Sequence, residues 1–321
     1  MSTVRPAQRG LLFLGCLLAF VRWEPAPYDL FLIIIFLLYA RGLTWKSYQL
    51  VFVVLLGPLL FTHVPALGAA LEVAPERTLY YSLVTLYLAL SSVFFMSLPE
   101  RSVPLLLLGY EVGALLSGLL GVLAFLRIPG LEDLLWGGSR AVAFFKDPKV
   151  FGAVLIPELF LALDRLEQGR KFWILPALIL FLGVLVSLSR GAWANFAVAL
   201  LAWWLLRPRK RIWLPLVLLT LAGGVGISVV VMPDNPIVQR LGFMPYDKER
   251  FFTQMEALSL ALTQPLGYGP GLSEIHLSYA THNTYVRFLA EVGWLGLFFW
   301  LLILGTSLIW SLYQGLKQQS F

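Results

Sequence analysis

The chain has 321 residues, of which 59% are hydrophobic and only 13% charged, and its mean hydropathy is +0.80. Soluble domains carry roughly 25% charged residues, so the composition excludes an ordinary soluble domain and predicts an all-α polytopic integral membrane protein. The 24 basic and 18 acidic residues leave a net charge of +6, but the basic residues are spread between apolar runs rather than clustered on a face. That distribution argues for orientation in a bilayer and against nucleic acid as a partner.

Arg5 and Arg9 followed by the apolar run 11–21 have the form of a secretory leader. Further apolar runs follow at once and no clear small-residue cleavage site precedes Arg22, so the run is expected to stay in the membrane. Its single cysteine, Cys16, excludes an intrachain disulfide and a Cys-based metal site. The runs 11–21 and 29–40 are short, either tilted helices or a re-entrant pair, and because they come as two they leave the orientation downstream unchanged. Membrane helices need about 20 apolar residues, which places spans near 47–64, 78–98, 103–126, 151–163, 172–188, 192–206, 212–232 and 283–313. About ten transmembrane helices are expected, or eight plus a hairpin, in a single membrane domain over 1–321.

Alternating sides then gathers Arg41 and Lys46, Arg101, Arg165 with Arg170 and Lys171, the cluster Arg207, Arg209, Lys210 and Arg211, and Lys317 on one face. These short basic connections are cytoplasmic by the positive-inside rule, and both termini come out cytoplasmic. The insert 127–150 and the loop 233–282, which lies between the last two spans, fall on the external (periplasmic) side of a plasma membrane. Nucleotide-activated donors are lacking there, so a transfer reaction on that side needs a donor carried by the lipid phase.

Within the external loop, Pro233, Pro236 and Pro245 give an irregular start. Residues 249–264 read as a helix with Phe251, Phe252, Met255, Leu258 and Leu262 on one broad apolar face, able to lie at the interface or cover a cavity. Next comes Pro265-Leu266-Gly267-Tyr268-Gly269-Pro270-Gly271, which cannot continue a helix; it is either an anion-binding nest of backbone N–H groups or a plain loop with Gly267, Gly269 and Gly271 at tight bends. His282-Asn283 then opens the last long apolar helix. At 100° per residue, Gly293 lies about 20° and Gly296 about 40° from His282, so all three share a face. Glycine permits close helix approach, which turns that face and His282 inward; the alternative is a polar residue that merely caps the helix with Asn283. Arg287 and Glu291, spaced i,i+4, read as an ion pair.

A second constellation is Ser187-Leu188-Ser189-Arg190-Gly191, where two apolar runs meet with almost no connection. Arg190 at that depth is a functional candidate, or an arginine snorkelling to headgroups. Arg140 and Arg250 also fall on the external side, and guanidinium groups bind phosphate bidentately. His63 reads as an interface residue and His276 as the rival of His282. Glu111 and Glu158 inside apolar runs are either proton-path residues or paired buried acids. No ligand spacing suggests a metal, and no cofactor is implied.

Taken together these residues resemble the bacterial O-antigen ligase and O-antigen polymerase superfamily. Its ligase signature is His, then Asn, Ser or Gln, nine residues, and Gly-x-x-Gly, as in His282-Asn283 and Gly293-Trp294-Leu295-Gly296. Ser189-Arg190-Gly191 is similar to its Ser-Arg-Gly junction, Asp147-Pro148-Lys149 to its Asp-Pro-Asn segment, and Arg250 with Pro265-Leu266-Gly267-Tyr268-Gly269 to its arginine and glycine-rich loop. Lys149 departs from the asparagine, and one span follows the histidine motif where relatives commonly have more. The resemblance covers roughly the second half of the chain.

The resemblance implies a metal-independent glycosyltransferase moving a glycan from a polyprenyl (undecaprenyl) diphosphate carrier to an acceptor hydroxyl, on lipid A core or another glycan, with inversion. Imidazole, with an ordinary pKa of about 6.5, would take the hydroxyl proton at His282, supported by Asn283 and Ser189. Arg190, Arg250 and Arg140 would hold the departing diphosphate. The nearest alternative is a polymerase with a second lipid-linked glycan as acceptor; another class is a transporter of lipid-linked oligosaccharide, which would want polar residues through mid-membrane.

Overall fold

The computed structural model describes residues 6–39, 43, 45, 47–206, 240, 242, 245–277 and 279–319. The expected span 212–232, the start of the external loop and the basic cluster at 207–211 lie outside the described residues. What is described is mostly helical and falls into two compact units. The first comprises 1–42 and 99–242, the second 43–98 and 243–321.

In the first unit, α6 (Val103–Phe125), α7 (Pro148–Glu167), α8 (Ile174–Val186) and α9 (Arg190–Leu205) pack around Phe145, Phe151, Leu155 and Leu180, with α1 (Pro6–Leu17) lying against α6 and α2 (Pro27–Tyr39) against α1. The pairing of α1 with α6 is backbone-close: a Cβ on Gly109 would collide with the Leu12 carbonyl, and one on Gly113 would lie 2.6 Å from the Cys16 oxygen. Small residues permit this approach where lipid supplies no hydrophobic drive for association. A two-stranded antiparallel ribbon, Leu135–Trp136 with Arg140–Ala141, interrupts the helices. The acids left open by the sequence divide here. Glu111 pairs with Arg165 at 2.7 Å, whereas Glu158 is buried and its carboxylate has no hydrogen-bond partner among the described residues.

The second unit contains α3 (Ser47–Phe61), α4 (Val64–Val73), α5 (Pro75–Met96), α10 (Pro245–Thr263), α11 (Ser273–His276) and α12 (Thr284–Gln319). Helices α3 and α4 are bent by 42° at a break, where Pro65 in the first turn of α4 lacks an N–H and its ring excludes the carbonyl four residues earlier. The expected span 47–64 is therefore α3 as far as Phe61, and a second helix, α4, follows past the bend to Val73. Among the described residues, three helices are long and apolar enough to cross a membrane, α5, α12 and α6 with the 3₁₀ turn before it, or four if α3 and α4 form one span. Helix α10 starts four residues before the expected loop helix.

The last helix departs most from expectation. Gly293 has φ 67° and ψ −166° inside α12, so Thr284–Val292 and the segment from Trp294 are two helices joined at a corner. In a straight helix, Phe288 and Trp300 would be about 18 Å apart, yet their rings stack at 4.8 Å. The shared face inferred for His282, Gly293 and Gly296 assumes one continuous helix, and the corner removes it. Gly293 makes the bend, while Gly296 lets Thr62 Oγ1 come within 3.2 Å of where a Cβ would stand.

Candidate functional site

In the first unit the site residues converge on the turn between α8 and α9. Leu188 adopts φ +48°, and Ser189 caps α9 by accepting from the Ala192 N–H at 3.3 Å. The cap places Arg190 in the first turn, where its Nη1 donates to the Gly242 carbonyl at 3.2 Å. Gly137 and Gly138, both at positive φ, close the ribbon so that Arg140 faces the same turn. Its Nε donates to the Ser187 carbonyl at 3.3 Å and its guanidinium lies 5.7 Å from the Trp136 ring centre. Gly152 admits this turn, since a Cβ there would meet Ser187 Oγ at 2.8 Å. Arg140 and Arg190 are thus both tied to Ser187–Ser189 although 50 residues of sequence separate them. Asp147 caps α7 by accepting from the Lys149 N–H at 2.7 Å, and the Lys149 ammonium stands 3.8 Å from the same carboxylate.

The second unit holds His282, Arg250 and the glycine loop. Asn283 Oδ1 accepts from the Tyr285 and Val286 N–H groups at 2.9 and 3.3 Å, making Asn283 the N-cap of α12. His282 is therefore outside the helix, exposed, at φ +45°, with its ring 5.5 Å from that of Tyr279. A non-glycine residue in this region costs on the order of 1–3 kcal/mol and persists only where the surroundings enforce it. Arg250, on α10, lies 4.4 Å from the Tyr246 ring centre, and its buried Nε has no hydrogen-bond partner among the described residues. His276, the rival base, is stacked on Tyr268 at 4.1 Å.

The loop Pro265–Gly271 is built into the corner of α12. The Tyr268 and Gly269 N–H groups donate to the carbonyls of Ala290 and Glu291 at 2.9 Å each, and the Pro265 carbonyl accepts from the Trp294 N–H at 3.1 Å. Breaking a helix frees its last carbonyls and next N–H groups, and this loop satisfies them. The nest reading fails for those two N–H groups, because helix carbonyls already occupy them. Gly267 has φ +79°, and a Cβ on it would come within 2.5 Å of the Glu291 carbonyl; Gly269 and Gly271 also hold positive φ.

Arg77 and Glu274, unremarked in the sequence, secure this clasp together with the expected ion pair of Arg287 and Glu291. Arg77 on α5 donates through Nε to the Gly271 carbonyl at 2.6 Å and pairs with Glu274. The carboxylate of Glu291 accepts from Ser273 at 2.6 Å and from Arg287 at 2.9 Å. Arg77 and Glu274 are 197 positions apart, so no local pattern could announce them. Among the described residues no group of three or more His, Cys, Asp or Glu could hold a metal ion.

These features belong to a mostly helical membrane protein with two strained helix starts that carry basic side chains. The model of a family described as O-antigen ligase matches residues 175–301, less than half of the chain. It takes in Arg190, Arg250, the glycine loop, His282, Gly293 and Gly296, but not Arg140. No curated protein and no solved structure matches the chain.

Proposed function

We propose that the protein transfers a glycan from a polyprenyl diphosphate to an acceptor hydroxyl at the external (periplasmic) face of a bacterial inner membrane. The observation that carries this reading is His282: an exposed imidazole on a strained backbone directly before the Asn283 cap, within the O-antigen ligase match. Strain of this kind is retained where a side chain must stand in one place. In the proposed step the acceptor oxygen attacks the anomeric carbon as His282 takes its proton. The bond from that carbon to the diphosphate oxygen breaks, and its electron pair leaves with the diphosphate. One displacement inverts the anomeric centre. Arg190, Arg250 and Arg140 supply the positive charge for the leaving group, a role suited to planar guanidinium groups, while Asn283 and Ser189 fix the two helix starts. No step calls for a metal or a cofactor.

The test is transfer by the purified full-length protein, given a polyprenyl-diphosphate oligosaccharide and either lipid A core or a second lipid-linked glycan. Wild type is expected to release diphosphate, and His282→Ala to transfer about 10²–10⁴-fold more slowly with an unchanged melting temperature. Transfer by His282→Ala at the wild-type rate would overturn the reading. The acceptor that is consumed separates ligase from polymerase. Arg190→Lys is expected to slow transfer at least about tenfold, since a point charge replaces a fork.

A further inference from the structure

His282 stands at φ +45°, a backbone state that persists only where the surroundings enforce it. The restraint can be traced along the chain on both sides of it, within the second unit. Upstream, the glycine loop rests on α4 and α5: a Cβ on Gly269 would stand 2.5 Å from Ala70 Cβ, and one on Gly271 would stand 2.5 Å from Tyr81 Cδ2 and 3.1 Å from Arg77 Cγ. Arg77 Nε donates to the Gly271 carbonyl at 2.6 Å, and its guanidinium pairs with Glu274 and lies 5.4 Å from the Tyr81 ring centre. Downstream, the Arg287 N–H donates to the Asn283 carbonyl at 2.9 Å, and the Arg287 guanidinium lies 4.3 Å from the centre of the same Tyr81 ring. Glu291 ties the two sides together, since its carboxylate accepts from both Ser273 and Arg287. Arg77 and Tyr81 are four residues apart on α5 and share a face, and an aromatic ring attracts guanidinium groups. One turn of α5 thus grips the chain at Gly271 and Glu274 and again at Arg287, with His282 between the two grips.

We propose that Arg77 and Tyr81 are positioning residues for His282: they fix both approaches to it and so hold the imidazole where it meets the acceptor hydroxyl. The proposal rests on the glycan-transfer reading for what His282 does. Both residues precede the stretch 175–301 that matches the O-antigen ligase family, so the aim of the imidazole depends on a part of the chain outside that match.

Two quantities read in the purified full-length protein test it: backbone hydrogen exchange over 279–286 by mass spectrometry, and kcat and KM for transfer from a polyprenyl-diphosphate oligosaccharide. Arg77→Gln and Tyr81→Leu are each expected to speed exchange over that stretch about tenfold or more while leaving α3 unchanged. Each is also expected to lower kcat about tenfold or more, with KM for the donor held within about twofold. Tyr81→Phe, which keeps the ring that both guanidinium groups meet, is expected to match wild type in both quantities. If one of the two disruptive variants does not fold, the other decides alone. Wild-type exchange and kcat in both overturn the proposal, as does a Tyr81→Phe loss equal to that of Tyr81→Leu. Faster exchange throughout α3, α5 and α12, with a lowered melting midpoint, also overturns it, because the two residues are then general supports of the unit. Local exchange that rises in the variants of a protein whose wild type performs no glycan transfer sinks the transfer reading alone. Transfer that keeps its wild-type rate while local exchange rises sinks the positioning role alone.

Discussion

Helices α9 and α12 begin in the same way and put the device to different uses. Each is preceded by a non-glycine residue at positive φ, Leu188 at +48° and His282 at +45°, followed by a capping side chain, Ser189 or Asn283. At α9 the strained residue is buried and apolar, and the side chain proposed to act, Arg190, follows the cap. At α12 the strained residue is exposed and is itself the one proposed to act. Packing of Leu188 against its surroundings offsets the strain in the first case. In the second the exposed side chain contributes little burial.

The sharpest way to break this comparison is to remove what fixes the second joint. Gly293→Ala puts a Cβ against the Pro265 carbonyl oxygen and 2.7 Å from the Leu266 carbonyl carbon, at a φ that L residues avoid. A loss of about 3 kcal/mol or more is expected, read as a lowered melting midpoint. Next in size is His282→Ala, for which transfer falls while the midpoint holds; a matching drop in the midpoint would make His282 a structural residue like Leu188.

Glycine at the two strained positions should act with opposite signs. Leu188→Gly relieves the backbone but gives up a buried side chain, which costs about 2–5 kcal/mol in comparable truncations, so a net loss is expected in denaturant titration. His282→Gly gives up little burial and should raise stability by about 1 kcal/mol. Smallest are the caps: Ser189→Ala and Asn283→Ala should each cost about 1 kcal/mol. A large activity loss in Asn283→Ala without a change in midpoint would give Asn283 a role beyond capping.

The sequence made α5 and α6 legible to within about three residues, because apolar runs of membrane length bounded by Pro and charge leave little choice. The junction at Ser187–Arg190 was legible for the same reason. What escaped was the corner in α12. Apolar residues run through Gly293 without interruption, and a glycine in a membrane helix reads by default as a packing site. The bend is decided by backbone hydrogen bonds to Pro265, Tyr268 and Gly269, which have no side-chain signature. Helix α4 escaped because the expected span was closed at Val64, beside His63 and Pro65. Arg77 escaped because its partners lie nearly 200 positions downstream. Of the candidate site, Arg140 and Arg190 meet at one turn of the first unit, and Arg250 and His282 belong to the second.

The clasp between Pro265–Gly269 and the corner of α12 has a consequence for how this segment varies. Both ends of the stretch from Pro265 to Gly293 are fastened at one place, and carbonyl and N–H groups do the fastening. Those groups are common to nearly every amino acid. Side chains between the fastened ends, around Tyr279 and His282, can therefore be exchanged without opening the ring. Loops anchored in this manner vary in sequence while their supports stay fixed, so the surface of this stretch can change one side chain at a time.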